Sequence, residues 1–277
     1  MEKLSKKEIY ERIENGITDL LNSNKFKEYL RFAARFRSYS FFNTLMIYSA
    51  MPDATYVTGM RKWNELGRKV TKGQKGIKIL APTFRKETEV VVDEVTGEEK
   101  EETRQCLTGY ILVSVFDVSQ TEGKEIPSAT SNFGSDTELL EAFKDIFSSK
   151  YRIKEMELRS TLGGYTDGKE IVLNAIKSEE QRLKTLIHEV AHCELGHIED
   201  KEKSRREEEV EAEMTAFMVT DYFGIDSSDY SFGYLGAWAE GNIASVRKSM
   251  DTSFRAAQDI IGTIERAFAE EELQKAV

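Results

Sequence analysis

The sequence predicts an α+β protein of two domains, an N-terminal α+β domain over residues 1–125 and a C-terminal domain of helices with a small antiparallel sheet over residues 136–277. Three observations predict it. Helical spacing of apolar residues alternates with short β-rich runs in both halves. The stretch QTEGKEIPSATSNFGS, 120–135, holds Pro, Gly and Ser but little to bury, as a linker does. The charge also changes sign: residues 1–86 hold 18 Lys and Arg against 8 Asp and Glu, and the rest of the chain holds 21 against 41. A length of 277 residues suits two domains of ordinary size.

In chain order, residues 4–22 read as an amphipathic helix, with Ile9, Ile13, Ile17, Leu20 and Leu21 at helical spacing and Ser5 as cap. A second, aromatic and arginine-rich helix runs from Phe26 to Ala50, and Pro52 stops it. Across 56–83, Gly59, Gly67, Gly73 and Gly76 punctuate β-like runs around a short helix at Lys62–Leu66. Strands at 77–84 and 109–119 flank the acidic, turn-rich stretch Asp93–Glu102, which suggests a hairpin.

The second half opens with a helix near 136–149. Strands follow at Tyr151–Leu158 and Glu170–Asn174, joined through Gly163, Gly164 and an Asp167-Gly168 turn. Ser178 with Gln181 forms a capping box for a helix whose apolar side is Leu183, Leu186, Ile187, Val190 and Leu195. A charged connection, Asp200–Arg206, leads to a helix from Glu207 to Phe223, ended by Gly224. The aromatic segment SFGYLGAWAE, 231–240, a short helix and a long helix from Asn242 to Leu273 complete the chain.

Composition excludes several classes. With 40% hydrophobic and 32% charged residues the chain suits a soluble globular protein with a real core. No run approaches the ~18 apolar residues of a membrane span, so no membrane partner is expected. The N-terminus lacks the apolar core of a secretory signal, which points to the cytoplasm. Two cysteines, Cys106 and Cys193, are too few for a disulfide framework.

Chemistry concentrates in HEVAH. On a helix, positions four apart face the same way, so His188 and His192 can present two imidazoles to one ion, and HExxH on a helix reads as a zinc site. Glu189, beside them, is placed to take a proton from a water that zinc has acidified. A catalytic zinc needs a third protein ligand and keeps one position open. The acidic helix supplies candidates: Glu209, 17 residues after His192, as third ligand, and Glu213, one turn on, as a carboxylate orienting a ligand histidine. The two roles can be exchanged, and Glu207, Glu208 and Glu211 crowd the same helix. All three histidines of the chain fall within ten residues. His197 reads as a helix-end residue bonding locally, with third ligand as its lesser alternative. Cys193 reads as a small buried hydrophobe.

The basic half suits a surface that neutralises phosphates and stacks bases. Its candidates are Arg31, Arg35, Arg37, Tyr39, Phe41, Phe42, Arg61, Lys62, Trp63, Arg68, Lys69, Lys72, Lys75 and Lys78. No recognition helix or finger motif is visible, which favours single strands as the partner. Phe32, Phe36, Leu45 and Met46 read as core instead.

The segments FFNTLMIYSA, TGMRKWNELGRKVTKGQKGIKIL, TLIHEVAHCELGH and EEEVEAEMTAFMV together resemble the ArdC-type antirestriction proteins of plasmids, conjugative elements and phages, including LtrC-like relatives. The resemblance covers most of the chain. It implies a single-stranded-DNA-binding N-terminal domain, with Asn43 in its Asn-containing aromatic helix, and a zincin-like, metallopeptidase-type C-terminal domain. The spacing HExxHxxxGH is similar to that of ImmA/IrrE-type peptidases, and the helix from Glu209 to Glu213 matches their glutamate helix. Three functions follow as expectations. The first is an element-encoded zinc metallopeptidase that binds single-stranded DNA and acts on a protein or peptide. The others are a regulatory peptidase that cuts a repressor and a non-enzymatic DNA binder with a structural zinc.

Overall fold

The computed structural model describes residues 5–22, 25–92, 99–126, 135–199, 203–230, 232 and 242–275. The chain divides into two units, Met1–Asn15 with Met46–Glu125, and Gly16–Leu45 with Ile126–Val277. Among the described residues no helix is long and apolar enough to cross a membrane.

The first unit is built on antiparallel strands. Strands β1 (Val57–Gly59), β4 (Glu99–Asp117) and β3 (Ile77–Val92) lie in the order β1-β4-β3. The β3–β4 ladder runs from Ile77↔Val115 to Val92↔Glu99, with a register shift at Thr83/Phe84. The hairpin is therefore longer than the alternation at 77–84 and 109–119 suggests, because backbone pairing continues through residues 85–92 and 99–106, whose sequence does not alternate. The expected turn-rich stretch Asp93–Glu102 is thus partly strand, and its residues 93–98 lie outside the described residues.

Helix α4 (Met60–Glu65) and strand β2 (Arg68–Val70) follow β1, and β2 pairs antiparallel with β5 (Thr121–Gly123). Residues expected to begin a linker therefore form a strand, while 127–134 lie outside the described residues. The turn between is held by side chains. Asp117 is buried and its carboxylate accepts from the backbone N–H of Thr55, Tyr56 and Ser119 at 2.8–3.0 Å. Gln120 donates to the Lys75 carbonyl at 2.9 Å and its own carbonyl accepts from Thr71 N–H, which pins the loop 71–76.

The second unit takes in helix α2 (Phe26–Arg35) and the beginning of α3 (Phe41–Ala50), which the sequence reading placed in the N-terminal domain. The expected single helix from Phe26 to Ala50 is two helices, with residues 36–40 between them. The apolar face of α2, Phe26, Tyr29, Leu30 and Ala33, is buried. It packs within this unit: Phe26 meets Phe232 edge-on at 5.5 Å, and Tyr29 meets Phe41 of α3 edge-on at 6.2 Å. Periodicity showed that this face is buried but not against what.

Helix α5 (Asp136–Ser148) starts at a Ser135–Glu138 capping box. Strands β6 (Arg152–Met156), β7 (Gly164–Thr166) and β8 (Glu170–Asn174) then lie in the order β6-β8-β7. The sheet is mixed. β7 and β8 are antiparallel across the Asp167-Gly168 turn, whereas β6 pairs with β8 in parallel, contrary to the expected all-antiparallel sheet. β7 is three residues long, too short to show as a periodic segment, so the hairpin partner of β8 was missed. Helices α6 (Glu179–Glu194), α7 (Arg205–Tyr222) and α8 (Ile243–Lys275) bury Leu186, Ile187 and Val190, then Met214 and Phe217, then Met250, Phe254 and Ile261 as one core. The short helix expected around 231–241 lies almost wholly outside the described residues.

Two features place β7 beside α6. Asn174, fully buried, accepts from Leu158 N–H and donates to the carbonyls of Arg159 and Leu162, fixing the segment that enters β7. At Gly164 a β-carbon would stand 2.5 Å from the Val172 carbonyl oxygen and 2.7 Å from Thr185 Cγ2. Replacing Gly164 by alanine is therefore expected to destabilise the fold by about 1–3 kcal/mol, since backbone must move to admit the methyl. A urea titration checks this, and an unchanged midpoint would contradict the close approach.

Candidate metal centre and active site

Ser178 caps α6 with its side chain accepting from Gln181 N–H, and ten residues on, the helix presents His188 and His192 on one face. Their Nε2 atoms stand 3.1 Å apart. Ser204 caps α7 in the same way through Glu207, a capping box the sequence reading did not use. It sets the phase of that helix so that Glu209 Oε2 lies 3.6 Å from His188 Nε2 and 3.8 Å from His192 Nε2.

Three donor atoms of this kind can share one ion. Ligands bound at about 2.0–2.1 Å around a tetrahedral ion stand roughly 3.3 Å apart, and the three observed separations bracket that value. The donor set, two neutral imidazoles and a carboxylate, fits a divalent ion with one position left for water.

The charges are arranged to match. The neighbouring His188 and His192 hold the Glu209 carboxyl well below the usual carboxylate range, against the opposing effect of burial. Burial pushes His188 down, but contact with Glu209 and the charges of Glu189 and Glu213 outweigh it and raise its pKa. Glu189 is buried, and burial raises its carboxyl, opposed by the two histidines and reinforced by Glu209. A carboxylate raised in this way is a stronger proton acceptor than one in water. Glu189 and His188 line a cleft of about 510 Å³ together with Gly163, Gly164, Lys184, Thr185, Glu213, Asp229 and Tyr230.

Behind the ligand set lies a buried chain that the sequence reading did not assemble. His197, 5% exposed, places Nδ1 2.9 Å from Nδ1 of His192 and Nε2 3.1 Å from Glu211 Oε2. Glu211, 2% exposed, also accepts from Lys203 Nζ at 2.8 Å and Ser249 Oγ at 2.7 Å. Burial raises the Glu211 carboxyl, but these three partners more than offset it and hold it below its ordinary value. Glu213, read as the orienting carboxylate because it shares a face with Glu209, lines the cleft with His188 and Glu189. A signal for Glu211 was available: it sits three and seven residues before Met214 and Met218, inside the apolar stripe, where a carboxylate needs buried partners.

The nucleic-acid candidates are divided. Arg61, Lys62, Trp63, Arg68, Lys72, Lys75 and Lys78 belong to the first unit, and Arg35, Arg37, Tyr39, Phe42 and Asn43 to the second. Trp63 is a core residue, 0% exposed, donating its indole N–H to the Phe116 carbonyl at 3.0 Å, so its ring is closed to a base. Arg68 is folded over Trp63 and donates to Thr121 Oγ1 and to the Thr121 and Gly123 carbonyls. Arg61 and Lys62 both reach Glu65, and Lys78 donates to Ser114. Lys72 and Lys75 are exposed on the pinned loop, and Lys69 is exposed on β2.

In the second unit Arg37 pairs with Glu265 and lies over the Tyr222 ring at 4.9 Å, a structural role. Arg35 is exposed, and Tyr39, Phe42 and Asn43 are half-buried. The sequence reading missed Tyr56, an aromatic that is 41% exposed and whose ring is braced edge-on against Trp63 at 5.4 Å.

Residues 3–116 match the family model of the N-terminal domain of anti-restriction factor ArdC, and residues 144–223 match that of the IrrE N-terminal-like domain, a peptidase family. The chain joins an ArdC-type N-terminal domain to an IrrE-like domain. The IrrE-like match contains His188, Glu189, His192, His197, Glu209 and Glu211, and so spans the whole candidate centre.

An uncharacterized protein of Bacillus anthracis is 27% identical over 308 aligned positions, covering 95% of this chain and 52% of that protein. The chain therefore spans about half the length of that curated relative. The metal-free crystal structure of antirestriction ArdC from plasmid R388 aligns with a TM-score of 0.50 and 22% identity, over 84% of this chain and 86% of that one. Its Mn(II)-bound structure aligns with a TM-score of 0.49 and 19% identity, over 83% and 84%. The metal-free structure shares its fold with this chain.

Proposed function

We propose that this is an antirestriction-type protein whose IrrE-like part hydrolyses a peptide bond at a zinc site and whose ArdC-type part binds single-stranded DNA. One observation carries the enzymatic reading: His188, His192 and Glu209 turn their donor atoms to one point at the wall of an open cleft, with Glu189 beside them. A purely structural zinc is closed by four protein ligands, whereas three ligands at a cleft fit a catalytic one.

Zinc held by these three residues would supply a water acidic enough to ionise near neutral pH. Glu189 accepts that proton at its carboxylate and returns it to the leaving amine. The cleft binds the peptide in extended form. β8 lies between two strands and has no free edge, and β6 is at the other edge of the sheet. β7, which brings Gly164 to the cleft, is the edge that an extended chain can join.

The DNA reading is supported by Lys69, Lys72 and Lys75, exposed on β2 and on a loop that Gln120 holds in place, and by exposed Tyr56 in the same unit. Base stacking then falls to Tyr56 rather than to buried Trp63.

Metal analysis tests the central claim. Purified wild-type protein is expected to carry zinc and the His188→Ala variant to lose it. Equal zinc content in the two would overturn the site.

A further inference from the structure

We infer that His197 and Glu211 form a buried relay that fixes which ring nitrogen of His192 carries its proton, and so positions His192 for the ion. This deepens the zinc reading of His188, His192 and Glu209 and rests on it.

The argument is one of hydrogen-bond inventory. An ionised carboxylate only accepts, and Glu211 is held in that role by two donors besides His197, the Lys203 ammonium and the Ser249 hydroxyl. The nitrogen facing it, His197 Nε2 at 3.1 Å, therefore carries a hydrogen. A neutral imidazole with Nε2–H has a bare Nδ1. That bare nitrogen lies 2.9 Å from Nδ1 of His192, and two ring nitrogens at this distance need one hydrogen between them. His192 supplies it, donating Nδ1–H to His197. Its Nε2 is then left with a lone pair, and Nε2 is the atom 3.1 Å from His188 Nε2 and 3.8 Å from Glu209.

Ligand histidines commonly lean directly on a carboxylate or carbonyl. Here a second histidine is interposed, and the carboxylate behind it is tied to α8 through Ser249 and to the segment before α7 through Lys203. The relay thus joins the ligand helix α6 to the other two helices of the core. His197 and Glu211 are positioning residues and do not face the cleft.

The chain has three histidines, so nitrogen NMR of the full-length, metal-free protein labelled in histidine reads each ring separately. His192 is expected as the Nδ1–H tautomer and His197 as the Nε2–H tautomer. A His192 protonated at Nε2, or a doubly protonated His197, overturns the relay, and this measurement needs no variant to fold.

Zinc competition against a chelator gives a second readout. Glu211→Met removes the acceptor and is expected to weaken zinc binding by about 10–100-fold. Glu211→Gln keeps an amide oxygen facing His197 and is expected to recover part of that loss. If His188→Ala binds zinc as tightly as wild type, the metal site itself is wrong. If His188→Ala loses zinc while Glu211→Met keeps wild-type affinity, the relay alone is wrong.

Discussion

Replacing Glu189 by glutamine is expected to lower peptide hydrolysis by about 10²–10⁴-fold while leaving zinc bound, the range typical of losing a positioned general base. The substitution is nearly isosteric, and Glu189 is not one of the three residues whose donor atoms converge. What changes is basicity. Burial raises the Glu189 carboxyl above its ordinary value and so makes it a stronger proton acceptor than a carboxylate in water, whereas an amide takes no proton. Turnover of a peptide substrate by zinc-loaded wild type and variant, with zinc content measured on the same samples, checks this. Undiminished turnover by a zinc-replete Glu189→Gln variant would remove Glu189 from the mechanism. Loss of zinc along with activity would show a structural role in place of a chemical one.

Changing Lys69, Lys72 and Lys75 together to alanine is expected to weaken single-stranded DNA binding and to flatten its dependence on salt. Each phosphate contact to a single strand contributes a slope of about −0.7 in log affinity against log salt, so three lost contacts reduce the slope by about two. The three lysines are exposed, and the loop that carries two of them is held by Gln120 and Thr71, so the variant should keep its fold. Affinity measured across a salt series for the full chain and the triple variant decides it. An unchanged slope would place the DNA contacts elsewhere, or show that the first unit does not bind DNA.

These two expectations draw on different amounts of sequence information. Glu189 and its histidines were legible because the relation between positions one and four apart is set by the helix itself, whatever the helix packs against. The capping box at Ser178 and the left-handed Gly224 after α7 were legible for the same reason, being short-range features. Glu209 was chosen from a crowd of glutamates, and what settles its phase is the Ser204 cap together with the packing of α7 on α6.

The misreadings share a cause. Trp63, Arg37 and Arg68 have the residue types of a nucleic-acid surface, but composition is silent on whether an indole faces water or a guanidinium is already paired. The three-residue strand β7 is too short to leave a pattern. Glu211 was passed over because Glu213 shares a helical face with Glu209, whereas Glu211 points into the core toward His197.

The sequence by itself determined the helix that carries His188, Glu189 and His192, the acidic helix that follows and the two-domain α+β class, because each follows from periodicity, capping or charge over a few residues. Only the tertiary structure decided that Gly16–Leu45 packs with the second unit, that β6 joins β8 in parallel, and that His197 reaches Glu211 behind His192. Contacts between residues far apart in the chain depend on which buried faces meet, and an amphipathic pattern specifies that a face is buried without naming its partner.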